Sequence, residues 1–320
     1  MTATISQENR ADRLPFFDTL RGMALVAMTI YHFSWDLEFF GWVTAGTISQ
    51  PGWVLFARCI ASSFLFLVGV SLVLAHERAI RWRMFWARFG QIAACAALIT
   101  IATWFAIRDA FIFFGILHAI ALFSLLGLAL LRLHWFACVA IAIAVFVIGQ
   151  NFASPFFAPP WLIWIGLSPV PPLSNDFVPL FPWFSATAAG IAAAKLAKGA
   201  NALESIGTVR LPEALEAPLR FVGRNSLIYY MLHQPVLIGA LWVFTAISGP
   251  PDQTASFIAQ CETQCAATRD QTFCTAYCTC VTDGMKREGI FTAYLAGKTD
   301  AAQNETVQRL VQECTAKSEQ

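Results

Sequence analysis

Residues 16–40 read FFDTLRGMALVAMTIYHFSWDLEFF, an apolar run interrupted at Asp18, Arg21, His32, Asp36 and Glu38. A run of this length crosses a hydrocarbon core of about 30 Å as a single helix. Arg21 and His32 stand eleven residues apart. At about 100° per residue that separation is roughly 1100°, three full turns plus about 20°. The guanidinium and the imidazole therefore share one face, about 16 Å apart along the axis. Asp18 and Asp36 fall near the same face. Ionisable groups in hydrocarbon are costly and mark functional sites by default, so this polar stripe is the first candidate site.

The rest of the chain agrees with a membrane setting. Of its 320 residues 57% are apolar and 13% charged, and 28 are Phe; mean hydropathy is +0.59. Soluble domains carry nearer 25% charged residues. The expected fold is an all-α integral membrane protein, a bundle of about seven transmembrane helices. A formal net charge of +1 argues against nucleic acid as a partner; the lipid bilayer is the expected one. The opening residues MTATISQENRADRLP lack the basic start, apolar core and cleavage site of a signal peptide.

Seven segments are apolar enough to be read as spans: 16–40, 53–75, 86–106, 110–131, 135–149, 178–197 and 220–247. Positive charge sets their direction. Arg78, Arg81, Arg83 and Arg88 fill the second connection, Arg132 follows the fourth span, and Lys195, Lys198, Arg210, Arg220 and Arg224 surround the sixth connection. The alternate connections hold little positive charge. Residues 1–13 are thus expected to be a cytoplasmic segment, 14–247 a transmembrane domain, and 248–320 an extracytoplasmic tail. The stretch PFFAPPWLIWIGLSPV at 155–170 is too short and too rich in proline to cross. It reads as interfacial or re-entrant, with Trp161 and Trp164 at headgroup depth.

The tail carries Cys261, Cys265, Cys274, Cys278, Cys280 and Cys314. Two Cys-x-x-x-Cys pairs each place both thiols on one helix face, so a short helical hairpin could be joined by two disulfides. Fifteen pairings of six cysteines are possible and the sequence does not choose among them. An extracytoplasmic position is the oxidising one in which disulfides persist. A metal site there is disfavoured because the tail contains no His. Cys59, Cys95 and Cys138 read as buried packing residues of the spans.

Further candidates join the stripe. Arg21 is expected to pair with Asp18, and Asp36 or Glu38 with Arg58. His118 and His233 reach the middle third of the bilayer beside His32, and Tyr229 precedes His233 by one helical turn. These suggest a shared polar cavity. Three imidazoles suit zinc, but nothing fixes their convergence, so no metal is expected. General base chemistry needs one oriented imidazole near neutrality. Arg224 and Asn225 lie in the stretch Gly223-Arg224-Asn225-Ser226 at the cytoplasmic boundary, a place to receive phosphates of an anionic ligand. Asp176 is the one charge in the long outer loop 150–177 and a candidate acceptor contact.

Arg13-Leu-Pro-Phe-Phe-Asp18-Thr-Leu-Arg21-Gly22-Met-Ala followed by Met28-Thr-Ile-Tyr-His32-Phe resembles the opening signature of the heparan-alpha-glucosaminide N-acetyltransferase catalytic family, which includes the bacterial DUF1624 group. The Arg-to-His spacing also resembles the type-three membrane acyltransferases. Asp176 to Trp183, and Gly223 to Leu227 with His233-Gln234-Pro235, are similar to further family stretches. The resemblance implies an integral membrane acyltransferase of the bacterial inner membrane. It would move acetyl from cytoplasmic acetyl-CoA to a sugar amine or hydroxyl of a carbohydrate or glycoconjugate on the far, periplasmic side. It implies His32 as the essential residue; beside it, Asp18 or Asp36 would orient or pair within the stripe. Arg21, with Arg224 and Asn225, would hold the CoA end, and His118, Asp176, Tyr229 and His233 would line the acceptor cavity. The alternatives are a proton-coupled transporter using the stripe as a path, or an assembly protein acting through its Cys-rich tail.

Overall fold

The computed structural model describes residues 15–44, 46–202, 211–249, 251–295 and 297–319. The proposed cytoplasmic segment 1–13 and Arg210 lie outside the described residues. Within them the chain is helical, without a named strand. The helices are α1 (Pro15–Phe39), α2 (Pro51–His76), α3 (Trp82–Ala106), α4 (Ile116–Leu130), α5 (Trp135–Asn151), α6 (Leu180–Gly199), α7 (Glu213–Arg224), α8 (Ser226–Ser248), α9 (Thr254–Cys265), α10 (Gln271–Arg287), α11 (Phe291–Leu295) and α12 (Ala301–Ser318). Four of these, α2, α3, α6 and α8, are long and apolar enough to cross a membrane. α4 and α5 are apolar but shorter. α1 has 25 residues, but Asp18, Arg21, Asp36 and Glu38 lower its hydropathy and it falls outside that set.

Local chemistry explains where several helices begin. Pro15 and Pro51 open α1 and α2, where the missing N–H would have no intrahelical partner. Asp18 in the first turn of α1 meets the positive end of the helix dipole. Asp270 and Asp300 cap α10 and α12 by accepting from Phe273 and Gln303 N–H, which satisfies donors the helix leaves open.

Two boundaries differ from those read in the sequence. The fourth apolar segment becomes helical only at Ile116, not at 110. Residues 110–114 instead lend their backbone to the loop before α6: Asn175 N–H donates to the Ala110 carbonyl and Val178 N–H to that of Phe114, both at 3.0 Å. The seventh segment does not start at 220, because Arg220 to Arg224 end α7 and the chain breaks at Asn225 before α8. Between α5 and α6 the stretch 155–170 holds two 3-10 turns, Pro155–Phe157 and Ile163–Ile165. Trp161 there is 73% exposed, and the Trp164 indole donates to the Trp161 carbonyl.

The chain divides into two units. The first takes the chain up to Ile30 and Leu55–Gln234. Its core gathers Leu65, Val70, Phe123, Ala188 and Ile191 from α2, α4 and α6. The Thr187 hydroxyl donates to the Leu65 carbonyl at 3.1 Å, an interhelical bond of the kind that holds helices together in lipid. Lys195 donates to the Leu131 and Leu133 carbonyls just beyond α4, where a cation favours the negative end of that helix.

The second unit takes Tyr31–Val54 and Pro235–Gln320. Here Trp42 donates to the Thr245 hydroxyl at 3.0 Å and its ring lies 5.0 Å from that of Phe244. The six tail cysteines form three disulfides, Cys261–Cys278, Cys265–Cys274 and Cys280–Cys314. Two nested bridges join α9 to α10, and the third ties α10 to α12. Val281, Met285, Ile290, Phe291 and Leu310 form the small core beneath them. The remaining cysteines are not uniformly buried as expected: Cys138 is buried, Cys95 intermediate, and Cys59 exposed. In an apolar helix an outward thiol costs little, because it behaves as a small hydrophobe.

Candidate functional site

The opening motif folds into a paired cation. Arg21 donates from Nη1 to Asp18 Oδ1 and from Nη2 to the Ser71 hydroxyl, each at 2.6 Å. The i,i+3 spacing on α1 makes the first bond and α2 supplies the second. Pairing is what makes a charge tolerable in this apolar setting. Ser71 had no signal in the sequence beyond its helical position, since its role depends on how α1 and α2 pack.

Gly22 and Gly223 mark where the first motif and the Gly223-Arg224-Asn225 stretch approach each other. A methyl at Gly22 would meet the Leu219 carbonyl oxygen at 2.0 Å, and one at Gly223 the Asp18 carbonyl oxygen at 1.8 Å. α1 and α7 therefore cross backbone on backbone, and the two motifs meet there. Arg224 is exposed beside this crossing. The Asn225 amide is engaged by the Phe221 carbonyl of its own chain at 2.9 Å, which makes it a helix-end cap.

Further along α1, Thr29 lies 2.8 Å from the Tyr229 hydroxyl of α8. Tyr229 and His233 present parallel rings, 6.4 Å between centroids and 2° between planes. The i,i+4 spacing had indicated that pair. Thr29, three residues before His32, was missed, although that spacing places it on a neighbouring part of the same face. His233 Nδ1 is 2.6 Å from the Tyr230 carbonyl.

His118 and Asp176 meet at the start of α4. Asp176 Oδ2 accepts the Ile116 N–H at 2.8 Å, across sixty residues of sequence. A carboxylate over a helix N-terminus satisfies an open donor and meets the dipole. Burial raises this carboxyl from 3.8 to about 6, and the Ile116 bond works in the opposite direction. His118 Nδ1 accepts from Gly115 N–H, and Nε2 faces the Thr100 hydroxyl, both at 3.2 Å. Thr100 donates to the Ile112 carbonyl, so Nε2 carries the ring proton toward Thr100. Both nitrogens of His118 are thus occupied by the chain itself.

His32 and Asp36 belong to the second unit. His32 is half-buried with its ring edge-on to Tyr31 at 5.7 Å, and Tyr31 leans on Trp53 at 6.3 Å. Asp36 is fully buried. Glu38 Oε1 and Oε2 accept Gly46 and Ile48 N–H at 2.9 and 2.8 Å, closing the loop after α1. Among the described residues no group of three or more His, Cys, Asp or Glu side chains is placed to hold a metal ion.

Residues 13–235 match the family model described as heparan-alpha-glucosaminide N-acetyltransferase, catalytic. The match begins with the Arg21 motif and ends just past His233. No curated protein and no solved structure matches the chain.

Proposed function

The chain belongs to the heparan-alpha-glucosaminide N-acetyltransferase catalytic family, and on that premise we propose that it transfers acetyl from cytoplasmic acetyl-CoA to a sugar amine or hydroxyl on the opposite side of a bacterial inner membrane. Membrane helices and membership of an acetyltransferase family are the established base. The donor, the acceptor class and the sidedness are the proposal. In it seven helices, α1 to α6 and α8, span the bilayer, residues 14–247 form the transferase domain, and 248–320 form a periplasmic disulfide-bonded tail.

The observation that carries this reading is the family match over 13–235, anchored on an opening motif whose Arg21 is held between Asp18 and Ser71. A guanidinium so fixed is pre-organised for a phosphate-bearing donor, since planar donors recognise phosphate oxygens in defined directions. The exposed Arg224 adds a second cation for the pyrophosphate or ribose phosphate of CoA. His32, three turns along α1 from Arg21, acts on the acetyl group. It either serves as general base for the acceptor or carries the acetyl as a transient acetyl-imidazole. Asp18 orients Arg21, and Asp36 orients the outer end of the stripe. No metal is required by either route.

The test is acetyl transfer in detergent micelles, read as CoA released from acetyl-CoA, with His32→Ala beside the wild-type chain. Loss of about 10²-fold or more in rate is expected for a residue of this kind. Undiminished transfer by His32→Ala removes the proposed role.

A further inference from the structure

The connection from α2 to α3 carries a charge that the chain itself does not answer. From His76 to Arg88 the one acid is Glu77, and Lys198 of α6 takes it. Arg78, Arg81 and Arg83 are exposed, and no carboxylate pairs with them among the described residues. The bend that holds them is tied at both ends. The buried His76 ring accepts the Arg81 N–H at Nδ1, 3.3 Å away, and stands edge-on to Phe85 at 5.8 Å. Arg81 Nε donates to the Ala75 carbonyl at 3.1 Å, in the last turn of α2, where carbonyls lack helical donors. Trp82 and Trp86 stack one turn apart, 6.4 Å between centroids and 20° between planes, and each is about half exposed. Positive residues in this connection follow from topology; a fixed guanidinium beside two stacked indoles does not.

The face beyond the arginines decides what the anion is. Arg83 and Ile101 are eighteen residues apart, five full turns at about 100° per residue, so they share one face of α3. Leu98, Ile101 and Phe105 are all exposed along it. A soluble anion would leave that apolar face uncovered, whereas an amphiphile meets both the charge and the hydrocarbon. We propose that the α2–α3 elbow binds one anionic glycerophospholipid of the surrounding bilayer. Its phosphate rests on Arg78, Arg81 and Arg83, its glycerol beside Trp82 and Trp86, and an acyl chain along the outer face of α3. Arginine forks recognise phosphate oxygens, indoles favour the boundary between headgroup and acyl chain, and basic pockets at helix ends take anionic headgroups. A phosphate so placed neutralises guanidiniums that otherwise repel one another. The site needs neither acetyl donor nor acceptor.

The experiment uses the full chain in detergent micelles and counts bound lipid by native mass spectrometry as dioleoyl phosphatidylglycerol or dioleoyl phosphatidylcholine is added. Wild type should hold one phosphatidylglycerol about tenfold or more tighter than phosphatidylcholine. Each arginine at an anionic surface is worth about fivefold in binding, so Arg78→Gln with Arg83→Gln should lose about thirtyfold. Arg78→Lys with Arg83→Lys keeps both charges and should stay within about fivefold of wild type. Arg287→Gln with Lys298→Gln removes the same charge from two exposed positions of the tail and should bind as wild type does. Equal binding of the two lipids overturns the proposal, as does wild-type binding by the Arg78/Arg83 glutamine pair. A loss in the lysine pair or the tail pair as large as in that glutamine pair also overturns it. Displacement of the lipid by millimolar inorganic phosphate would mark a free-anion site and overturn it too.

Discussion

Replacing Gly223 by alanine tests the helix crossing on which the inner site is built. The added methyl would sit 1.8 Å from the Asp18 carbonyl oxygen and 2.9 Å from the Gly22 nitrogen. Ordinary contact begins at 3.4 Å, so the helices would have to part by about 1.6 Å along the closer of these lines. Both obstacles are backbone atoms, and no rotamer change relieves them. Overpacking of this kind costs about 1–3 kcal/mol. Against it, Gly→Ala inside a helix returns up to about 1 kcal/mol. The backbone clash leaves no room for the methyl, so the steric effect outweighs the gain, for a net loss of up to about 2 kcal/mol. Gly90 in α3 is the matched control, because a methyl there meets nothing within 4 Å and only the propensity gain remains. Thermal unfolding in detergent micelles, followed by helical circular dichroism, should place Gly223→Ala below wild type and Gly90→Ala at or above it. Arg21 stands beside the crossing, so Gly223→Ala should also raise the KM for acetyl-CoA. Wild-type stability in Gly223→Ala would refute the backbone contact between α1 and α7.

The other predictions concern the outer loop and the tail. Asp176 has its folded carboxyl raised from 3.8 to about 6, so the folded chain binds this proton more tightly than the unfolded one. The stabilisation is complete below about pH 4 and is lost as pH rises through 6, amounting to about 3 kcal/mol. Asp176→Asn keeps an oxygen for Ile116 N–H and removes the titration. Its unfolding midpoint relative to wild type should rise between pH 4 and 7, and parallel pH profiles would contradict the buried carboxyl. In the tail, Cys280–Cys314 closes a separation of 34 residues and Cys265–Cys274 one of 9. Loop entropy assigns about 4 kcal/mol to the first and about 2.5 to the second. Paired Cys→Ser variants of the longer bridge should therefore be cut faster by trypsin within 254–318 than those of the shorter one; the reverse order would show that strain or residual structure dominates.

Much of this arrangement was legible because it is local. Apolar runs marked the helices, the i,i+3 spacing marked Asp18 with Arg21, and the i,i+4 spacing marked Tyr229 with His233. The paired Cys-x-x-x-Cys spacing anticipated a hairpin joined by two disulfides, and Cys261–Cys278 with Cys265–Cys274 is one of the arrangements it permits. What was not legible depends on contacts far apart in sequence. Hydropathy alone started the fourth segment at 110, since it cannot register that Ala110 and Phe114 give their carbonyls to the loop before α6. Asp176 stood out as the one charge of its loop, but its bond to the start of α4, sixty residues away, had no local signal. Cys59 was expected inside because thiols are usually buried, but a helix in lipid has no penalty for turning one outward. Gly22 and Gly223 carried no separate meaning until the crossing of α1 and α7 gave them one.

The central claim is vectorial acetyl transfer by the α1 stripe, and reconstitution tests it most directly. Proteoliposomes holding D-glucosamine inside and given radiolabelled acetyl-CoA outside should accumulate labelled N-acetylglucosamine in their lumen, and His32→Ala vesicles should not. Label that never enters the lumen, or enters equally with His32→Ala, would contradict the account.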